Sequence, residues 1–245
     1  MLARNRDRLL RELPDDAVVL DVGGWAEPFG RADWVLDLMP YETRGLYGVA
    51  VDPSTERFTA DTWVQRDICD HEPWPFEDDQ FDMVLCAQTL EDVRDPIWVC
   101  HELNRVAKAG YVEVPTRLAE QSAGMEGFWS GWSHHHWICD FTDEGGIDFT
   151  FKHHVVHKPE LHLPGRFGAT LTDERRVQGF FWEGEFPYRE RILFDPAALE
   201  AELRATVEAH LHEVPPEPAA APPASVPRRA ARKLKRAVVS VRASR

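Results

Sequence analysis

Residues 74–116 read WPFEDDQFDMVLCAQTLEDVRDPIWVCHELNRVAKAGYVEVPT, and this stretch decides the fold class. An acidic turn at 77–80 leads into a short apolar run at 83–86. Asp95-Pro96 then supplies a helix N-cap and a first-turn proline. Ile97, Val99, Leu103 and Val106 recur at helical spacing over 96–106, and Gly110 opens a second apolar run at 111–114. Strand, helix and strand in that order make a βαβ unit, whose two strands run parallel.

Working outward, the runs at 18–20 and 34–36 are also short, apolar and bounded by turn residues, as strands buried on both faces of a parallel sheet are. Residues 63–65 are a weaker strand candidate ahead of Asp67. Only 22–33 separate the first two strands, and with Pro28 and Gly30 among them no full crossover helix fits. Residues 118–146 are rich in Gly, Trp and His without a period, which predicts a loop-rich insertion over the strand ends. The stretches 147–157 and 177–194 alternate and predict strands forming an antiparallel edge. Asp195 caps a helix whose Leu199, Leu203, Val207 and Leu211 share one face, and Leu2, Leu9, Leu10 and Leu13 predict an amphipathic N-terminal helix. The expected class is α/β, a Rossmann-like, mostly parallel sheet with an antiparallel edge and helices on both faces.

The 245 residues suffice for one such domain with additions, and 43% hydrophobic with 29% charged residues is ordinary for a globular chain. Cys69, Cys86, Cys100 and Cys139 are widely spaced and read as reduced thiols of a cytoplasmic protein. No apolar run reaches the length of a membrane span, and residues 1–13 lack the apolar core of a secretory signal. The net charge of −14 is unevenly spread: 228–245 hold eight Arg or Lys and no acid, leaving 20 basic against 42 acidic side chains elsewhere. So acidic a body argues against nucleic acid as substrate. The expected organisation is a domain over 1–213, a Pro/Ala-rich linker over 214–227 and a basic amphipathic tail over 228–245, with Leu234, Val238 and Val241 on one face. That tail suits an anionic membrane surface or an acidic partner, or else a solvated end folded back on the acidic body.

Pro75-Phe76, Asp78, Phe81-Asp82, Val84, Cys86, Leu90-Glu91, Asp95-Pro96, Glu102-Leu103, Arg105-Val106 and Gly110, with Val18–Gly24 upstream, resemble class I S-adenosylmethionine (SAM) dependent methyltransferases of the type 11 subgroup. The resemblance covers most of 17–195 and implies SAM as cofactor. In Asp21-Val22-Gly23-Gly24 the glycines let backbone N–H groups approach a ligand, and the acid suits the ammonium of the methionine moiety. Asp37 is the natural ribose acceptor by the logic of dinucleotide-binding folds, with Asp52 of GVAVDP at 48–53 as its rival. Asp67-Ile68 resembles the family's adenine-binding pair, and Ala87, Gln88 and Thr89 would line the cofactor's other side. The sequence departs from the family where Gly23-Gly24-Trp25 replaces a Gly-x-Gly-x-Gly turn; a bacterial subset with a shortened Gly-Gly segment before an R-A-D-x-V-x-D strand looks similar.

Methyl transfer needs alignment first, and a general base only when the acceptor is weak, such as a hydroxyl. The family's Leu-Glu-His is Leu90-Glu91-Asp92 here, so that histidine's role does not carry over. Base candidates are His135, then His134, in Gly131-Trp132-Ser133-His134-His135-His136-Trp137, which resembles a Gly-Trp-x-His-His-x-Trp element of the same subset. The competing reading of this block is aromatic packing around Trp132 and Trp137. His153, His154 and His157 fall in an expected strand, but their spacing matches no zinc site and no metal is expected. The sequence therefore points to a SAM-dependent methyltransferase acting on a small-molecule or glycan-type acceptor, at oxygen. The rivals are a catalytically silent SAM-fold scaffold and, more weakly, a nicotinamide-dependent oxidoreductase.

Overall fold

The apolar runs at 18–20, 34–36, 83–86 and 111–114 become neighbouring strands of one sheet. A computed structural model describes residues 1–46 and 51–217. In chain order the elements are α1 (Ala3–Glu12), β1 (Val19–Val22), β2 (Trp34–Asp37), β3 (Trp63–Gln65), β4 (Met83–Ala87), α2 (Pro96–Val106), β5 (Ala109–Pro115) and α3 (Arg117–Glu120). There follow β6 (Trp137–Phe141), β7 (Ile147–Phe151), the single turns α4 (Gly165–Gly168) and α5 (Asp173–Arg176), β8 (Val177–Glu183), β9 (Tyr188–Glu190) and α6 (Pro196–His210). The main sheet has the order β3-β2-β1-β4-β5-β8, parallel throughout except for β8, which pairs antiparallel with β5. Met1–Val214 form one compact unit; the linker and basic tail proposed from the sequence fall almost wholly outside the described residues.

Alternation along the strands fills two cores. Val19, Val35, Leu85 and Tyr111 point to one face, where Leu9 of α1 and Phe29, Ala32, Phe58 and Trp63 cover them. Leu20, Leu36, Val84, Cys86 and Val112 point to the other, against Val99, Cys100, Leu103 and Val106 of α2. Between β1 and β2 there is no helix; Phe29 and Ala32 stand where one would pack, so the short connection is closed by side chains. Gly110 faces Trp182 across the β5–β8 pair, and a Cβ there would lie 2.5 Å from the indole.

The antiparallel edge is β8 alone. Residues 147–151 instead pair with β6 and β9 in a separate three-stranded sheet, order β6-β7-β9. Its Trp137, Cys139, Ile147 and Phe149 pack into the α2 core, and Ile138 faces Leu199 and Leu203 of α6. Asp195 caps α6 by accepting from the Ala197 amide at 2.9 Å, as Asp95 caps α2 by accepting from Trp98 at the same distance. Leu211 lies beyond the end of α6 and is exposed, unlike Leu199, Leu203 and Val207. All four cysteines are buried and unpaired. Among the described residues no helix is long and apolar enough to cross a membrane.

Candidate active site

The carboxyl ends of the parallel strands open into a cavity of about 750 Å³, a volume suited to a nucleoside-sized ligand. Gly23 follows β1, Asp37 ends β2, Asp67 and Ile68 follow β3, and Gln88 and Thr89 follow β4; all six line it. Gly23 has φ +75°, and a Cβ there would stand 2.3 Å from the Thr89 hydroxyl oxygen, so the close approach of the β1 and β4 loops depends on glycine. Trp25 also lines the cavity but does not fill it: its indole N–H donates to the Thr43 carbonyl at 2.7 Å, which holds the ring on the wall. Asp37 is buried and accepts from the amides of Trp25 (3.0 Å) and Met39 (2.8 Å). Burial pushes its carboxyl up, against the pull of those amides. Asp52 sits apart in an exposed turn, accepting from Ser54.

Asp21, Gly24 and Ala87 do not line this cavity. They border a smaller hollow of about 310 Å³, which shares Gly23, Ala26 and Gln88 with the larger one. Asp21 accepts from the Phe29 amide at 2.8 Å and is otherwise enclosed. Burial pushes its carboxyl up to about 7, the Phe29 amide opposing and the charge of Asp37 adding to the rise. Gln88 takes a left-handed φ of +56°, rare for a non-glycine residue, and its amide N–H donates to the Glu113 carbonyl at 2.7 Å.

Trp132, His134, His135 and His136 also line the larger cavity, with Glu91, Asp92, Val93 and Arg94. His135 is held from two sides: its Nδ1 lies 2.6 Å from Glu120 Oε1, and its ring stacks on Trp132 with centroids 4.9 Å apart. The other oxygen of Glu120 accepts from Lys152 Nζ at 2.5 Å, and Lys152 also donates to the Trp132 carbonyl at 2.8 Å. All three side chains are nearly inaccessible, at 7% for His135, 1% for Glu120 and 3% for Lys152. His134 is half-exposed, with Nδ1 3.6 Å from Glu126. The Glu91 carbonyl accepts from the amides of His136 (2.8 Å) and Trp137 (3.1 Å), anchoring the histidine segment to the β4 loop. The Glu91 side chain is buried with Oε2 unpartnered, and burial pushes its acid well up.

The strand expected to carry His153, His154 and His157 ends at Phe151, and His154–His157 form a 3₁₀ turn instead. His153 caps that turn, accepting from the Val155 amide at 3.3 Å. His157 accepts from the Ser130 amide and packs on Trp129. His153 and His157 thus serve backbone amides rather than a strand face. Among the described residues no three His, Cys, Asp or Glu side chains come together to hold a metal. Asp67 lines the cavity, but its carboxylate is engaged by Arg94 at 2.6 Å, which lowers its pKa. The sequence reading missed Glu120, Lys152 and Arg94. A lone glutamate after a strand and a lone lysine between Phe151 and His153 carry no local pattern, so nothing in the sequence marks them.

Among curated proteins none matches this chain. Solved structures that it resembles include the YcgJ protein of Bacillus subtilis (19% identity, 46% of this chain and 51% of that one, TM-score 0.37). An S-adenosylmethionine dependent methyltransferase of Mesorhizobium loti is similar over 61% of this chain and 65% of its own (15% identity, TM-score 0.34). The [4+2]-cyclase SpnF is similar over 46% and 45% respectively (20% identity, TM-score 0.35). The chain thus spans from under half to about two thirds of these structures. Residues 1–154, well over half of the chain, match the family model described as a methyltransferase domain, and the chain belongs to that family, whose cofactor is S-adenosyl-L-methionine.

Proposed function

We propose that this protein transfers the methyl group of SAM to an oxygen of a small-molecule or glycan-type acceptor. One observation carries the reading: the strand-end residues Gly23, Asp37, Ile68 and Gln88 share a single cavity with a buried, carboxylate-bound histidine, His135. The donor set fits the cofactor. Asp37 keeps lone pairs for the ribose hydroxyls, Ile68 offers an apolar surface to adenine beside Asp67, and Gly23 lets the backbone approach. Asp21, Gly24, Ala87 and Gln88 around the smaller hollow suit the methionine end, with Asp21 as the partner of its ammonium.

Bound SAM supplies an electrophilic methyl carbon on a sulfonium. The residues of this chain align the partners, a contribution of about 7–11 kcal/mol in well-oriented reactions. As the acceptor oxygen gains the methyl group and sulfur keeps the carbon–sulfur electron pair, His135 would take the hydroxyl proton. His134, half-exposed in the same cavity, is the second candidate base. The acidic surroundings of the cavity fit an uncharged or cationic acceptor better than a phosphorylated one. Residues 1–213 would form the catalytic domain; a membrane or acidic-partner contact is assigned to 228–245 on sequence grounds alone.

The test incubates the full chain with methyl-deuterated SAM and a metabolite extract, and follows which molecules gain the labelled methyl group. A labelled O-methyl product is expected. SAM and S-adenosylhomocysteine binding by calorimetry, without any labelled product, supports a silent scaffold instead. Absence of binding removes both readings.

A further inference from the structure

Glu120 is buried and does not itself line the cavity, whereas His135, which it bonds, does. Its two oxygens meet two nitrogens, Nδ1 of His135 at 2.6 Å and Nζ of Lys152 at 2.5 Å. The lysine ammonium is a donor with no lone pair, and its remaining close partner is the Trp132 carbonyl at 2.8 Å. With a buried ammonium beside it, the glutamate balances that charge as a carboxylate, and a carboxylate only accepts. His135 must therefore bring the hydrogen to the shared contact. The other charged or titratable groups around the ring are His134, against its face at 4.6 Å, and Glu91, Asp92 and His136, which line the same cavity. Among the described residues the hydrogen-bond partner of the His135 ring is Glu120.

We propose that Glu120, balanced by Lys152, is a positioning residue that fixes His135 as the Nδ1–H tautomer and so reserves Nε2 as the proton acceptor in the cavity. The inference rests on the oxygen-methylation reading for its purpose, though not for its geometry. It narrows the acceptor to groups that lose a proton on methylation, such as a hydroxyl, because a fixed lone pair on Nε2 has no use to a tertiary amine or a thioether. Trp132 completes the device: its ring stacks under the imidazole and its carbonyl orients the lysine that balances the glutamate.

Replacing Glu120 by Gln tests the tautomer directly. In E120Q the ammonium of Lys152 claims the amide oxygen, the only acceptor offered, and the amide NH2 turns to His135. That NH2 donates to Nδ1, which moves the ring proton to Nε2 and removes the base. The free full-length protein, labelled with 15N-histidine and with the His135 signals assigned by H135N, reports which ring nitrogen is protonated. The expected result is Nδ1–H in the wild type and Nε2–H in E120Q. Transfer of labelled methyl from SAM into a metabolite extract should fall roughly 100-fold in E120Q, the scale of a lost general base, with S-adenosylhomocysteine affinity unchanged. In an H135N background, E120Q should cost almost nothing more.

A wild-type His135 protonated on Nε2 overturns the proposal, and so does an E120Q protein with unaltered ring nitrogens. If E120Q does not fold, the wild-type spectrum still decides. Undiminished methyl transfer in a folded E120Q protein also overturns the positioning role, whereas an Nδ1–H ring in a wild type that methylates nothing upholds the tautomer and removes the proposed function.

Discussion

The block at 74–116 and the segment at 117–157 occupy adjacent stretches of chain and behave oppositely. The first is dense with family-like residues, and most of them hold the fold. Glu102, buried on α2, accepts from the Trp74 amide at 2.6 Å and from Arg105, which in turn donates to the carbonyls of Trp74 and Phe76. Asp82 ties the start of β1 through the Val18 amide, and Phe76 and Phe81 meet edge to face at 4.9 Å. The second segment is aperiodic up to residue 146, yet it supplies Trp132 and His135 to the cavity, backed by the buried Glu120 and Lys152. Residues that identify the family by pattern are here largely a clamp. The proposed chemistry is hung on a segment whose charged partners, Glu120 and Lys152, follow no local pattern.

Breaking the clamp should produce the largest effect. Glu102→Ala leaves Arg105 without its buried partner and the Trp74 amide without an acceptor, a loss of about 3–5 kcal/mol of stability. Urea unfolding of E102A should show a lower midpoint at unchanged slope. A variant of wild-type stability would mean that water or Asp78, 3.0 Å from Arg105, takes over the role. The matching change in the second segment, His135→Asn, should do the reverse. Methyl transfer falls roughly 100-fold while the unfolding midpoint moves little, since only the ring's stacking and one hydrogen bond are lost. Should H135N lose stability as E102A does, the contrast between the two regions fails.

The same contrast explains what was legible in the sequence. Parallel strands, α2 and its Asp95-Pro96 start follow from short-range rules of alternation, helical spacing and capping, so they could be read from the residues. The missing helix between β1 and β2 was equally readable, because chain length alone forbids it. The second sheet was not. Whether 147–151 joins the edge of the main sheet or pairs with 137–141 depends on long-range packing, and alternation is the same in both cases. Leu211 satisfied the helical period and still lies outside the helix, because the period does not say where a helix stops. Of the site, the strand-end residues were readable from their order along the chain. The separation of Asp21 from Asp37 into two hollows was not, since it depends on where Gly23 and Gln88 meet.

Asp21 gives an intermediate effect that sharpens this division. Its carboxyl titrates near 7 in the folded protein against about 4 in the unfolded chain. Between those values the folded state holds the extra proton, so stability falls as pH rises through the window. Asp21→Asn removes the titration while keeping an oxygen for the Phe29 amide. The variant should gain on the order of 2 kcal/mol over wild type between pH 5 and pH 8, read as a widening difference in unfolding midpoint. SAM should also bind the wild type more tightly as pH rises through 7, with that dependence absent in D21N. Parallel pH profiles for the two proteins would show that the smaller hollow is open to water.

The smallest effect concerns Arg94, where the β3 and β4 loops meet beside the cavity. It pairs with Asp67 at 2.6 Å and donates to the Cys69 carbonyl at 2.5 Å, but the two side chains are 59% and 38% exposed. An ion pair so open to solvent is worth at most about 1 kcal/mol, so Arg94→Met should leave the unfolding midpoint nearly unchanged. Binding is where the change should show. Asp67 Oδ1 already accepts from the Cys69 amide at 2.9 Å, and Oδ2 is held by the arginine. Releasing Oδ2 makes the carboxylate a stronger acceptor for the exocyclic amine of adenine, and S-adenosylhomocysteine should bind R94M up to about fivefold more tightly by calorimetry, which is roughly 1 kcal/mol. Weaker binding would place Arg94 itself on the nucleoside. The acid that resembles the family's adenine partner would then be only the support of a cation that no local pattern marks.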